Sequence, residues 1–343
     1  MNNTYFNGSI PNKEDFVNKS MNKTGNEANA TTPEIPSSSN IHLPLVMLGV
    51  LSCLIVAANS LVIVLVYKNK QLRTITNLCL TCLAISDLLS GLVAIPLIFA
   101  CNLTQFGDGF AACIAMDLAS RFIAISTILH LVIVTFERYA MIIYPMHYYR
   151  IISKQTMVAS MTFIWIFSLT VSLIQLTWIS LDPSQMESHE RQKDVIYSYS
   201  CFVSLVALPL ILLAIVYVRI FLALRSQLKK IRRQVSHITR SRRARQKRGQ
   251  KRAVTILGSM ILAFILGWFS YFLSGILYDE NVEFHLPPAV NITLLFMRYG
   301  TSLINPLLYT LFKEDFRNVL KSYVFKKPQN CLDEIPLSSN AVS

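Results

Sequence analysis

Seven long apolar runs, set apart by short polar segments, leave this chain almost no choice of architecture. They are roughly Leu43 to Tyr67, Thr76 to Phe99, Ala111 to Ile143, Met157 to Ile179, Tyr197 to Leu222, Val254 to Leu277 and Ala289 to Phe312. About 20 apolar residues at 1.5 Å rise cross a hydrocarbon core, and inside it each run satisfies its own backbone only as a helix. The expectation is an all-α polytopic membrane protein. Composition agrees, since 53% hydrophobic against 15% charged residues in 343 does not describe a soluble chain of this size.

The net charge of +13 points to a membrane surface and not to nucleic acid, because the cations are gathered on one side. Thirteen Lys and Arg fall between Arg225 and Arg252, and Lys68, Lys70, Arg73, Arg150, Lys154 and Lys313 sit at run ends facing the same way. By the positive-inside rule that side is cytoplasmic. The opposite loops carry Asp108, Asp182, Glu187, Glu190, Asp194, Asp279, Glu280 and Glu283 against Arg191 and Lys193. The N-terminus is therefore expected outside, in a multi-pass protein of the plasma membrane.

Residues 1–40 hold acceptor triplets for N-glycosylation at Asn2, Asn7, Asn18, Asn22 and Asn29, which agrees with an extracellular tail. The tail is too polar to bury a core and is expected to be disordered; with no signal peptide evident, the first spanning helix does the targeting. The bundle then occupies 41–312, an amphipathic helix on the inner leaflet 313–326, with Phe316, Leu320 and Tyr323 on one side, and a disordered cytoplasmic tail 327–343. Cys331 in that tail is a candidate palmitoylation site, an unmodified cysteine being the equal alternative.

Polar residues inside the runs carry more information than the apolar ones. Asp87 stands near the middle of the second run, where a charge costs roughly 2.5 kcal/mol or more and needs a partner, a proton or an ion. Asn59, Thr127, Ser302 and Asn305 are available at similar depth, so a polar cluster inside the bundle is expected. The third run ends at the pair Glu137 and Arg138 beside Tyr139, which marks a membrane boundary.

With these residues in order, the chain resembles a rhodopsin-like G-protein-coupled receptor over residues 43 to about 326. The resemblance rests on Asn59; Leu83, Ala84 and Asp87; Cys113 with Glu137, Arg138 and Tyr139; Trp165; Pro209 and Tyr217; Phe264 and Trp268; and Asn305, Pro306 and Tyr309. It implies a receptor that turns binding of an extracellular ligand into activation of a heterotrimeric G protein, with arrestin, receptor kinases and membrane lipids as further partners. It also implies that Arg138 is restrained by Glu137 when inactive and released toward Tyr217 and Tyr309 when active. Trp268, with Phe264 one turn deeper, matches the ligand-sensing residue, and Met146 the apolar side chain that docks into the G protein. Asp87, Thr127, Ser302 and Asn305 match an allosteric sodium site, and no other cofactor is implied. Pro209 and Pro306 each remove a helix hydrogen bond and place kinks.

Three departures from the family pattern stand out. Residues 180–200 hold no cysteine to meet Cys113, so Cys113 bridges Cys101, or stays free, or helix five is unwound at its top to offer Cys201. In helix six Ser270 replaces the kink-forming proline; its hydroxyl can bond back to the carbonyl four residues earlier, with Gly267 adding slack. Gln250 stands where many members place a glutamate that pairs with Arg138, so the inactive state loses one restraint.

For the ligand, Asp117, Ser120, Arg121 and Ala124 recur on one face of helix three, which by resemblance lines the outer cavity. Amine receptors carry an aspartate where this chain has Ser120. Asp117 and Arg121 are spaced to pair at i, i+4, which leaves Arg298, beside Tyr299, as the cation seeking a carboxylate or phosphate. A small anionic or zwitterionic ligand, or the end of a peptide, is therefore expected, capped by Trp268, Tyr271 and Phe272. The alternatives are a monoamine receptor using Asp117 and a constitutively active orphan receptor or heteromer partner. An enzyme is not expected, as no metal cluster, nucleophile triad or phosphate loop is seen. A transporter would need internal repeats, and an opsin a lysine between Ala289 and Phe312.

Overall fold

The computed structural model describes residues 39–103, 109–179, 188–234, 237–273 and 287–324. The glycosylation triplets, Cys331 and most of the acidic outer-loop residues lie outside them. Among the described residues the chain is helical, without strands. Helix α1 is Ser39–Lys68; α2 joins Ile75–Leu89, a π-helical turn Ser90–Ala94 and Ile95–Leu103; α3 is Gly109–Ile143; α4 is Lys154–Ile174 with a 3-10 turn Gln175–Thr177. Helix α5 joins Ser188–Cys201, a π turn Phe202–Ala207 and Leu208–Gln234; α6 is His237–Phe264 with a π turn Ile265–Phe269 and runs on through Leu273; α7 is Pro288–Phe312 and α8 Glu314–Val324. Six of them, α1 to α6, are long and apolar enough to cross a membrane.

The helices start where short polar side chains can hold the first free N–H groups. Thr74 accepts from the amide of Asn77 at 3.2 Å, and Ser153 from that of Thr156 at 3.0 Å. Helices α5 and α6 continue far into the basic stretch expected as a loop, since its Lys, Arg, Gln and Ala are good helix formers. The outer end of α5 departs from expectation as well: Lys193 and Asp194, placed in a loop by hydropathy, are helical.

Prolines explain two of the three π turns. Residue 95 donates five residues back, to Ser90, and the next donor in that register would be Pro96, which has no N–H. The Gly91 carbonyl so freed accepts from Ser52 Oγ of α1 at 2.7 Å. In α5 the π turn likewise ends two residues before Pro209. The third turn contains no proline; Ser270 Oγ donates to the Leu266 carbonyl at 2.9 Å, as its hydroxyl suggested.

Gly267 acts otherwise than expected. A Cβ there would lie 2.8 Å from Thr301 Cγ2, 2.9 Å from the Met297 carbonyl and 3.0 Å from Arg298 Cα, so this glycine lets α6 close onto the backbone of α7 and does not serve as slack. Phe316 on α8 is not a lipid-facing residue: it is fully buried, with its ring centroid 5.7 Å from that of Tyr309, and Val319 shares the core while Tyr323 is exposed. Trp165 packs against Phe122 and His130, with centroids at 5.4 and 5.7 Å. Of the three fates left open for Cys113, the structure has the bridge to Cys101, with Cα atoms 4.8 Å apart, and Cys201 is free and buried inside α5.

Candidate functional site

At the outer end of the bundle, side chains from α3, α5, α6 and α7 form one polar network. Asp117 and Arg121, one turn apart on α3, pair at 2.8 Å, and the Tyr271 hydroxyl of α6 donates to the other oxygen of Asp117 at 3.2 Å. Arg121 also lies 4.8 Å from the Tyr197 ring of α5. Arg298 of α7 is packed among aromatic rings, 4.1 Å from Tyr271, 4.6 Å from Tyr299 and 5.7 Å from Trp268. It is only 2% exposed, yet its Nε and Nη1 have no hydrogen-bond partner among the described residues. Cation–π contact answers the charge of a guanidinium and leaves its N–H groups without acceptors.

The remaining residues expected here take smaller parts. Ser120 Oγ lies 3.4 Å from the Tyr299 hydroxyl, linking α3 to α7. Ala124 is fully buried in the core, so its part is packing. Phe272 stands between Tyr271 and Phe202, with centroids at 5.4 and 6.2 Å. Trp268 is buried, its ring meeting Tyr271 edge-on at 6.1 Å and Phe264 at 6.4 Å.

Three residues of this region escaped sequence reasoning. Asp194 of α5 accepts from Gln175 Nε2 at 2.9 Å and from Trp178 Nε1 at 3.4 Å, both on Oδ1, and so ties the end of α4 to α5. Hydropathy counted Asp194 as loop charge. The one available signal was Gln175, a strongly polar residue inside an apolar run.

Deeper in the bundle the expected cluster is present. Asn305 Nδ2 donates to Asp87 Oδ2 at 3.0 Å, and Ser302 Oγ to Ser90 Oγ at 3.2 Å. Asn59 Nδ2 bridges the carbonyls of Ile55 at 2.9 Å and Ser302 at 3.0 Å. Thr127 Oγ1 and Asn59 Oδ1 are buried without a hydrogen-bond partner among the described residues. One carboxylate with neutral oxygens still free to ligate fits a small hard cation such as sodium.

At the inner end Glu137 is fully buried and holds three partners: Arg138 Nε at 3.3 Å, Thr76 Oγ1 at 2.8 Å and the Tyr148 hydroxyl at 2.8 Å. The last two were not foreseen. Burial and the Glu137 charge together raise the pKa of Tyr148 above the ordinary tyrosine value, so it stays a donor. A crevice beside Arg138 is lined by Leu80, Val134, Ile256, Met260, Tyr309 and Lys313. Tyr139 meets the Tyr144 ring at 6.0 Å, and Met146 is almost fully exposed, at 90%. Tyr217 lies against α6 at Gly258, where a Cβ would come within 2.8 Å of Tyr217 Cε2. Gln250 Oε1 is buried without a partner among the described residues, while Arg252 of α6 pairs with Glu314 of α8 at 3.4 Å.

Comparison with known proteins follows the same lines. The profile of the family described as 7 transmembrane receptor (rhodopsin family) matches residues 58–309. The histamine H2 receptor of Homo sapiens is 31% identical over 280 residues, covering 79% of this chain and 76% of that one. An octopamine receptor beta-2R of Chilo suppressalis is 26% identical over 333 residues, 87% of this chain and 84% of its own. The 5-hydroxytryptamine receptor 1D of Mus musculus is 25% identical over 374 residues, 92% and 96% respectively.

Proposed function

The chain belongs to the rhodopsin family of seven-transmembrane receptors, and from that premise we propose that it signals from the plasma membrane through a heterotrimeric G protein in response to an anionic or zwitterionic extracellular ligand. In this reading α7 is the seventh span, although Arg298, Asn291 and Asn305 make it less apolar than the others, and α8 lies on the inner leaflet. The N-terminus faces outward. The G protein enters beside Arg138 and meets the exposed Met146. Asp87, Thr127, Ser302 and Asn305 hold a sodium ion that favours the inactive bundle.

One observation carries the ligand class. Arg298 buries a permanent charge with two nitrogens, Nε and Nη1, whose N–H groups no acceptor meets among the described residues. An unpaired buried donor costs about 1–3 kcal/mol, and a carboxylate or phosphate recovers that in a charge-assisted, bidentate contact. Asp117, by contrast, already holds Arg121 and Tyr271.

A second reading is a monoamine receptor, favoured by relatives named for histamine, octopamine and 5-hydroxytryptamine. An amine would then have to displace Arg121 from Asp117. A signalling screen of amines, acids, lipids and short peptides on wild type, Arg298→Ala and Asp117→Ala separates the two. Loss of response to an acid in Arg298→Ala supports the anionic ligand. A potent monoamine that ignores Arg298 and fails only on Asp117→Ala replaces it.

A further inference from the structure

Among the described residues at the outer end, Arg298 and Arg121 Nε are buried cationic donors without a hydrogen-bond partner, and one buried acceptor there, on Gln175, has the opposite preference. Gln175 is 1% exposed, and its Nε2 is spent on Asp194, but its Oε1 has no hydrogen-bond partner among the described residues. Both bonds that reach Asp194 fall on Oδ1. The α4–α5 corner therefore offers a carboxylate and a free amide oxygen side by side, flanked by the rings of Trp178 and Tyr197, whose centroids are 5.1 Å apart. Acceptors of this kind call for a cation with several N–H groups, such as a primary ammonium.

Arg121 pairs with Asp117 on α3 and is within electrostatic reach of Asp194, and α3 touches α5 through Arg121 and Tyr197 and α7 through Ser120 and Tyr299. Two carboxylates around one guanidinium leave the α3–α5 side with one negative charge in excess, and Arg298 on α7 is the positive pole across α3 from Asp194. With a helix between them and packed helix axes about 8–10 Å apart, the poles are separated by roughly one interaxial distance or more. The two charged groups of a single α-amino acid are bonded to the same carbon and cannot reach both.

We infer that the outer end of the bundle takes an extended zwitterion, with an ammonium group held by Asp194 and Gln175 and a carboxylate held by Arg298. This rests on the anion-binding assignment of Arg298 and adds its counterpart. Tyr271, 4.1 Å over the guanidinium, must turn aside to admit the carboxylate. The rings of Trp178, Tyr197 and Tyr271 then cover the apolar middle of the ligand.

The test uses the full-length receptor, with thermal stabilisation and signalling as readouts. The probes are the tripeptide Gly-Phe-Gly with both ends free, its N-acetyl and C-amide forms, 10-aminodecanoic acid and phenylalanine. The free tripeptide or the amino-decanoate is expected to act at least tenfold below the concentration needed for either blocked form, with phenylalanine weak; which of the two is stronger tells a peptide from an aliphatic ligand. Asp194→Asn keeps the Oδ1 acceptor for Gln175 and Trp178, so the α4–α5 tie survives while the charge is lost. It should weaken the free-amine probes at least tenfold and leave the N-acetyl form unchanged. Equal action of free and N-acetyl probes, indifference of all probes to Asp194→Asn, or no stabilisation by any probe overturns the inference. If Arg298→Gln weakens the acids while Asp194→Asn does nothing, the anionic reading stands alone. If only Asp194→Asn matters, the anionic reading fails instead.

Discussion

Lys313 shows how much one residue can be asked to tolerate at the inner end. Its ammonium is largely buried, donates to Asn77 Oδ1, and lies 3.8 Å from Asp315 and 5.7 Å from the Phe316 ring. Burial first, and then the nearby Arg138, push its pKa down from 10.5 to about 8. Because the folded value is the lower one, the unfolded chain binds more protons between the two. Stability contributed by this residue should therefore rise as pH goes from about 8 toward 10.5, and the difference between wild type and Lys313→Met in thermal melts across that window measures it. Superimposed profiles would show that the buried charge carries no cost. Legibility in the sequence divides at this scale too. The Asp117–Arg121 pair followed from i, i+4 spacing on one helix, and Arg298 stood out as the cation left over. Asp194, Gln175, Thr76 and Tyr148 did not, because their partners lie on other helices and no local pattern links them.

Among the elements, the two prolines answered by side chains of α1 show how a helix bundle repairs its own breaks. Pro306 cannot donate to the carbonyl of Ser302, four residues back, and Asn59 Nδ2 takes that carbonyl at 3.0 Å. Ser52 does the same for Gly91 ahead of Pro96. The proline in α7 and the asparagine in α1 are thus one feature, although Asn59 and the Ser302 carbonyl it takes are 243 residues apart in sequence. Removing Asn59 should leave a buried carbonyl unsatisfied, at about 1–3 kcal/mol. In the Pro306→Ala background the backbone regains its donor, so most of the cost of Asn59→Ala should disappear. A thermal-melt double-mutant cycle reads this coupling, and strictly additive losses would show that Asn59 acts elsewhere. Pro306 stood out in the sequence as a break in the helix, while Pro96 did not. Neither did the π turns, since a single extra residue per turn leaves the hydropathy of a run unchanged.

For the whole molecule, the question is how the inactive bundle is held closed when Gln250 replaces an acid. Glu137 is tied to α2 by Thr76 and to Tyr148, which keeps the α3 end of the switch in place. On α6 the observed tie is Arg252–Glu314, whose side chains are 39% and 52% exposed, and an exposed pair contributes at most about 1 kcal/mol. A deeper restraint is expected from the polar cluster at Asp87, where Asn305 donates to the carboxylate. If sodium binds there only in the inactive state, agonist affinity must fall as sodium rises, by the same factor that agonist lowers sodium affinity. Binding curves in sodium and in a bulky organic cation test this, with Asp87→Asn as the control that should lose the difference; an affinity indifferent to sodium in wild type removes the site. Against that background the missing ion pair is expected to set basal tone. A contribution of about 0.5–1 kcal/mol changes the inactive-to-active ratio roughly two- to fivefold, so ligand-free nucleotide exchange should be measurable. Gln250→Glu places a carboxylate where Gln250 Oε1 now finds no partner among the described residues, and it is expected to pair with Arg138. Basal exchange should fall by that two- to fivefold factor while Arg138→Ala and Met146→Ala abolish agonist-driven exchange altogether. Basal exchange that is unchanged or raised in Gln250→Glu would mean that α6 is held by its contacts with α7 at Gly267, and that the switch at Arg138 needs no acid on α6.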